Sequence, residues 1–157
     1  MAARKSKASK QTFSASHAKD AVYESGGLRS CFEYRDLGIY EATGGQAMAH
    51  LIRAIPGKHG GFGWHKHKLD FQMYYVLKGW VKFNYEGVGE VVARAGSCVH
   101  QPAGIRHAEL DHSDDVELLE VTLPGKFKTI EVAAPAERKA AAKAPRRKPV
   151  PMRQAAE

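Results

Sequence analysis

Short runs rich in β-branched and aromatic residues, separated by glycine at intervals of roughly ten residues, leave this chain little to fold into other than antiparallel strands. Nine runs have that character: 29–34, 46–55, 64–67, 71–78, 81–85, 90–93, 97–101, 106–110 and 116–123. Between "WVKFNY" and "EVVAR" the segment "EGVGE", at 86–90, predicts a tight glycine turn and hence a hairpin. No apolar stripe of helical period extends beyond two turns. So many strands in so few residues must pair their edges, either by stacking two sheets or by closing a barrel, so an all-β fold is predicted.

The hydrophobic fraction of 43% over 157 residues is enough to fill one core rather than two. A formal charge of +7 is of the sign that nucleic acid attracts, but the charge is unevenly placed. Residues 1–20 hold five basic side chains against one acidic, and residues 133–157 hold seven against two, which leaves 21–132 with twelve basic and fourteen acidic. The basic balance therefore belongs to the ends and says nothing of what the core binds. Both ends are Ala, Lys, Arg, Ser and Pro with few large apolar side chains, so neither can bury enough surface to offset its ordering entropy. The expectation is a disordered basic tail at 1–20, one β domain at 21–132 and a disordered Ala/Lys/Pro-rich tail at 133–157. Such tails can touch phosphates loosely, which makes nucleic acid a secondary expectation only. No apolar run suits a secretory signal or a membrane span, so a cytoplasmic protein without membrane insertion is expected. Two cysteines, Cys31 and Cys98, make no disulfide framework and read as small buried side chains.

Within this β pattern one step carries chemistry. In "GWHKHKLDFQMYYVLKGW" the side chains of His65 and His67 share a strand face while Lys66 points away. With Lys66 in solvent, both imidazoles enter the interior. Gln72, Tyr74 and Val76 share a face of the next strand, and "GSCVHQPAGIRHAELD" adds His107 downstream. Alternation from His107 places Glu109 and Asp111 on its face, and Glu120 interrupts the apolar run "VELLEVTL". A buried carboxylate is costly unless paired, so an inward Glu109 or Glu120 is a candidate catalytic acid or base; the competing reading is a solvated or salt-bridged strand residue. Tyr74, Phe83, Tyr85 and Phe71 are either pocket walls or ordinary filling. His100 reads as a strand histidine, His50 and His59 have no spacing partner, and His17 and His112 read as exposed. Arg106 is expected to point outward, where in a dimer it could meet Glu33 or Asp36.

These residues resemble the two sequence motifs of the cupin superfamily. The first falls on His65, His67, Gln72 after four intervening residues and Gly79 after six more; the second falls on Gly96, Pro102, Gly104, His107 and Asp111. Residues 80–95 separate the two. There are three departures: the leading glycine, Gly60, is one residue too close to His65, Asp111 stands for asparagine, and Gln72 stands for glutamate. The resemblance implies a small single-domain cupin β-barrel of jelly-roll type, holding a divalent transition metal on His65, His67, Gln72 and His107. Three imidazoles and one amide oxygen suit a borderline first-row ion, Fe, Mn, Ni, Co or Zn. An amide in place of the carboxylate removes one negative charge from the ion and cannot take up a proton near neutral pH.

What the resemblance implies for function is a metal-binding small cupin. A non-haem dioxygenase acting on a small diketone, enediol or phenolic compound comes first. The alternatives are a non-catalytic module that binds or senses a small ligand in the same pocket, and a cupin isomerase or lyase. One scaffold hosts all three. A homodimer is also implied, paired through N-terminal strands within residues 21–45.

Overall fold

The computed structural model describes residues 10–136. Eleven strands follow one another: β1 Glu24–Ser25, β2 Phe32–Asp36, β3 Met48–Ala54, β4 Phe62–Lys68, β5 Phe71–Lys78, β6 Trp80–Tyr85, β7 Gly89–Arg94, β8 Cys98–His100, β9 His107–His112, β10 Glu117–Leu123 and β11 Lys128–Glu131. A single α-helical turn, α1 Ile39–Ala42, and a 3-10 turn at Ala18–Asp20 are the helical segments among the described residues. All nine expected strands are present, several shifted by a residue or more at an end; β1 and β11 were not expected. Arg29, expected to head a strand, lies in the turn before β2.

Two antiparallel sheets form, one ordered β1-β2-β3-β10-β5-β8 and the other β11-β4-β9-β6-β7. Their facing surfaces make the double-sheeted barrel that so many short strands require. Phe32, Val76 and Val81 are wholly buried between them, and Ile52, Tyr74, Phe83, Tyr85 and Leu118 belong to the same cluster. The expected hairpin joins β6 to β7, with Tyr85 opposite Gly89 and Gly87 at φ +75° in the turn. Cys31 is buried as expected, but Cys98 is exposed, because β8 lies at the edge of its sheet and, among the described residues, pairs only with β5. Arg106 reaches Glu86 of its own chain (3.5 Å), and Glu33 pairs with Arg53 (2.9 Å).

Residues 1–9 of the expected N-terminal tail and 137–157 of the C-terminal one lie outside the described residues. The stretch from 10 onward runs along the barrel: the Thr12 amide donates to the Ala42 carbonyl (2.9 Å), and Arg35 Nη2 donates to Ser16 Oγ (3.0 Å). No helix among the described residues is long and apolar enough to cross a membrane.

Gly79, the last residue of the first motif, has a physical reason to be glycine. It turns the chain from β5 into β6 at φ +67°, and a Cβ there would stand 2.9 Å from Val116 Cα. Strained backbone and a collision with main chain act together. Gly79→Ala is expected to cost roughly 2 kcal/mol or more, against about 1 kcal/mol for Gly87→Ala, where φ is equally positive but a Cβ meets open space. Chemical denaturation of both variants checks the difference.

Candidate metal centre

Strand β4 alternates as its sequence demands: His65 and His67 are buried, and Lys66 between them is not. Across the sheet His65 is the direct partner of His107 on β9, so a cross-strand pair completes what alternation began. The three rings converge, with centroids 4.2 Å apart for His65 and His107, 4.9 Å for His65 and His67, and 5.1 Å for His67 and His107. One ring nitrogen from each lies within 4.8 Å of the others, in range of a single ion.

Hydrogen bonds select which nitrogen that is. His65 Nδ1 donates to the Gly63 carbonyl (2.7 Å) and His107 Nδ1 to the Ile105 carbonyl (3.0 Å), since a carbonyl only accepts. His67 Nδ1 meets Thr129 Oγ1 on β11 at 3.0 Å. Each ring is anchored through Nδ1 by an outer partner, leaving Nε2 as the ligating atom. His65 Nε2 is buried with no hydrogen-bond partner among the described residues. Buried polar atoms of native proteins seldom stand unmatched, so an orphaned lone pair in a cluster of three imidazoles fits a cation. The protonation states fit as well. Burial pushes the His65 ring below its ordinary pKa; His67 falls to about 4 through burial and the neighbouring His65; His107 falls to about 3 through burial and the two other rings, against the pull of its carbonyl partner. All three rings are neutral at pH 7, the form that binds metal.

Gln72 is buried beside Tyr74 and Val76 on the inner face of β5, as expected. Its Nε2 donates to Glu120 Oε1 at 2.8 Å. Glu120, on β10 opposite both His50 and Tyr74, accepts a second bond from His50 Nε2 at 2.7 Å. Burial pushes the Glu120 carboxyl upward, but the His50 hydrogen bond and charge, with the Gln72 amide and Arg29, outweigh it and hold the pKa at about 2. His50, for which spacing offered no partner, thus has one seventy residues away. Its ring lines a cavity of about 270 Å³ bounded by Tyr34, Asp36, Met48 and the Gly26–Gly27 turn.

Glu109 is buried on the inner face of β9, two residues from His107, and forms an ion pair with Arg29 Nη1. Burial raises its carboxyl to about 7, while the Arg29 guanidinium opposes the rise. Sequence reading had no means of assigning Arg29 to the interior: its guanidinium lies 5.6 to 5.9 Å from the rings of Phe32, Phe62 and Phe83. Tyr74 and Tyr85 join hydroxyls at 3.1 Å, and Gln101 Nε2 donates to Tyr85 at 3.1 Å. Burial raises both phenols, Tyr85 to about 12, so both stay protonated donors.

Three expectations fail here. Asp111 is exposed rather than sharing the His107 face, and His112, expected outside, is buried. One cause serves both. Lys82 and Phe83 are consecutive on β6 yet pair with Asp111 and Glu109, so Leu110 is the extra residue of a β-bulge and the alternation changes phase there. His112 then packs at a tilt against Phe32 (4.7 Å) and stacks on His59 (5.3 Å), while Asp111 turns to the exposed His59 (3.7 Å). Phe71 is not an interior wall but a partly exposed residue stacked on His100 at 5.5 Å.

Residues 51–122 match the family model described as a cupin domain. Among solved structures the chain is similar to the polyketide cyclase RemF from Streptomyces resistomycificus, at 17% identity over 79% of this chain and 88% of that one with a TM-score of 0.62. It is also similar to KdgF from a Halomonas species, at 16% identity over 73% and 96% with a TM-score of 0.60. An RmlC-like cupin from Shewanella frigidimarina matches at 21% identity over 75% and 96% with a TM-score of 0.58. At such identities the likeness is one of fold. Among curated proteins none matches.

Proposed function

We propose, from the premise that this chain belongs to the cupin superfamily, that it is a small metal-dependent enzyme carrying out non-haem dioxygenase chemistry on a diketone, enediol or phenolic compound. His65, His67 and His107, with the amide oxygen of Gln72, hold a divalent transition ion of the Fe, Mn, Ni, Co or Zn group. The observation that carries the reading is the set of three imidazoles tethered through Nδ1 to Gly63, Thr129 and Ile105, with the His65 Nε2 buried and unmatched. Such an ion, when bound, supplies a Lewis acid for adjacent substrate oxygens.

The chain's own residues do the rest. Glu109 accepts the hydroxyl proton of the enediol or phenol: the substrate O–H bond breaks, the proton goes to the carboxylate, and the electron-rich enolate or phenolate that dioxygen oxidises is left. Arg29 holds that carboxylate in place through their ion pair. The neutral hydroxyls of Tyr74 and Tyr85, and the ring of Phe83, wall the interior against water. The buried carboxylate two residues from His107 also favours a second reading, an isomerase or lyase in which Glu109 takes a C–H proton and no oxygen is consumed. A homodimer built through residues 21–45 belongs to the same reading, β1 standing at an open sheet edge.

The test is metal analysis of protein purified without a histidine tag, followed by oxygen uptake with a panel of diketones, enediols and phenols and by anaerobic incubation in deuterated water. Stoichiometric metal with oxygen uptake is the expected result. Metal with carbon-bound deuterium appearing faster than in a protein-free control, but no uptake, supports the isomerase or lyase; metal with neither leaves a ligand-binding module. Protein that takes up no first-row ion overturns the proposal.

A further inference from the structure

An amide at the place of the motif's carboxylate creates two problems for a metal site. It has two chemically different ends, of which only the oxygen can ligate, and it brings no charge to offset the ion. The residues around Gln72 bear on both. Gln72 Nε2 donates to Glu120 Oε1 at 2.8 Å, and the other Glu120 oxygen is taken by His50 Nε2 at 2.7 Å. The three side chains come from neighbouring strands of one sheet, with His50 on β3 directly opposite Glu120 on β10 and Thr122, two residues on, opposite Gln72 on β5. The chain Gln72–Glu120–His50 is therefore built into the strand register.

We propose that Glu120 is a positioning residue: it fixes the Gln72 amide with its nitrogen turned away from the histidine cluster and its oxygen left to the ion, and it returns to the site, one hydrogen bond removed, the negative charge that the amide lacks. The inference rests on the reading of Gln72 as a ligand. A flipped amide would set its oxygen against a carboxylate oxygen, two acceptors with no proton between them, and would turn its N–H groups toward a cation. Both contacts are repulsive, so one orientation is selected. Glu120 can do this only as an acceptor at both oxygens, and the His50 donor keeps the second one occupied. With both oxygens engaged, Glu120 serves the site as an anchor and leaves proton transfer to Glu109. Outer partners of this kind tune affinity without touching the ion.

The experiment measures cobalt or zinc binding to metal-free protein by calorimetry, together with the visible spectrum of the cobalt form, for Gln72→Ala, Glu120→Gln and the exchange variant Gln72→Glu/Glu120→Gln. Glu120→Gln should weaken binding roughly 10- to 100-fold and alter the cobalt spectrum, because a neutral amide at 120 no longer dictates which end of Gln72 faces the ion. The exchange variant should recover the lost affinity, since the carboxylate now sits at 72 and the amide at 120 can donate to it. Native affinity and spectrum in Glu120→Gln, with weakened binding in Gln72→Ala, overturns the positioning role and leaves Gln72 a ligand. Native affinity in Gln72→Ala overturns both. Should Glu120→Gln fail to fold, the exchange variant decides: binding like the native protein supports the proposal, and binding no better than Gln72→Ala overturns it.

Discussion

If the three histidines hold a divalent ion as proposed, alanine at His65 is expected to abolish the stabilisation that the ion would give this protein. A ligand that binds only the folded state adds about 4.1 kcal/mol when present at a thousand times its dissociation constant, on the order of 15 °C in melting temperature for a domain of this size. Of the three rings His65 would be the one most committed to that ion: it is wholly buried, it lies opposite His107, and its Nε2 has no hydrogen-bond partner among the described residues. Without it, two imidazoles and the proposed Gln72 amide would remain, and affinity should fall by more than about 100-fold, the upper end of what losing a mere outer partner costs. The metal-free variant changes less simply. It loses the contacts of the ring with Phe62 at 4.6 Å and His107 at 4.2 Å, but it also sheds a buried polar atom that nothing satisfies. The quantity to compare is therefore the metal-induced shift in each protein, not the melting temperature alone. His100→Ala, at a ring stacked on Phe71 away from the cluster, should keep the native shift. If His65→Ala keeps it too, the ion is bound somewhere else.

Why this much of the site was legible follows from what alternation can encode. A strand repeats every two residues, so the inward pairs His65 with His67, and Gln72 with Tyr74, can be read from the order of residues in β4 and β5 alone. The same rule broke at Leu110, because one bulged residue carries no local signature and inverts every position after it; Asp111 and His112 were exchanged as a result. Partners across the barrel were equally hidden. Thr129, which steadies His67, lies on β11, a four-residue strand of mostly exposed residues that acquires its character only by pairing with β4. His50 and Glu120 are seventy residues apart and meet through a register that no short window contains. Local periodicity thus gave the direction of each side chain, and long-range pairing decided what each one met. The candidate ligands were readable because their motif is local; the residues that orient them were not.

At pH 9, where the Glu109 carboxyl with its pKa of about 7 is ionised in the native protein, Arg29→Met is expected to destabilise the protein by about 3 kcal/mol, since a carboxyl left without its counter-charge must stay protonated; at pH 7 the loss should be well under about 1 kcal/mol. Glu109 is 2% exposed, and Arg29 is the cation paired with it. Methionine keeps much of the unbranched stem that runs past Phe32, Phe62 and Phe83, so the loss reports charge more than packing. The converse substitution, Glu109→Leu, should cost less, because the Arg29 side chain retains 13% exposure and its guanidinium can turn toward water. Changing both to Arg29→Met and Glu109→Leu should return most of the stability, since apolar residues of similar volume commonly replace a buried pair without loss. Denaturant unfolding of the four proteins at pH 9, metal-free, closes the cycle. Additive losses would mean that the two side chains do not sense each other and that the Arg29 guanidinium does not enter the barrel. A strongly non-additive cycle places a fixed positive charge beside Glu109, which is where an enolate formed by that carboxylate would need one.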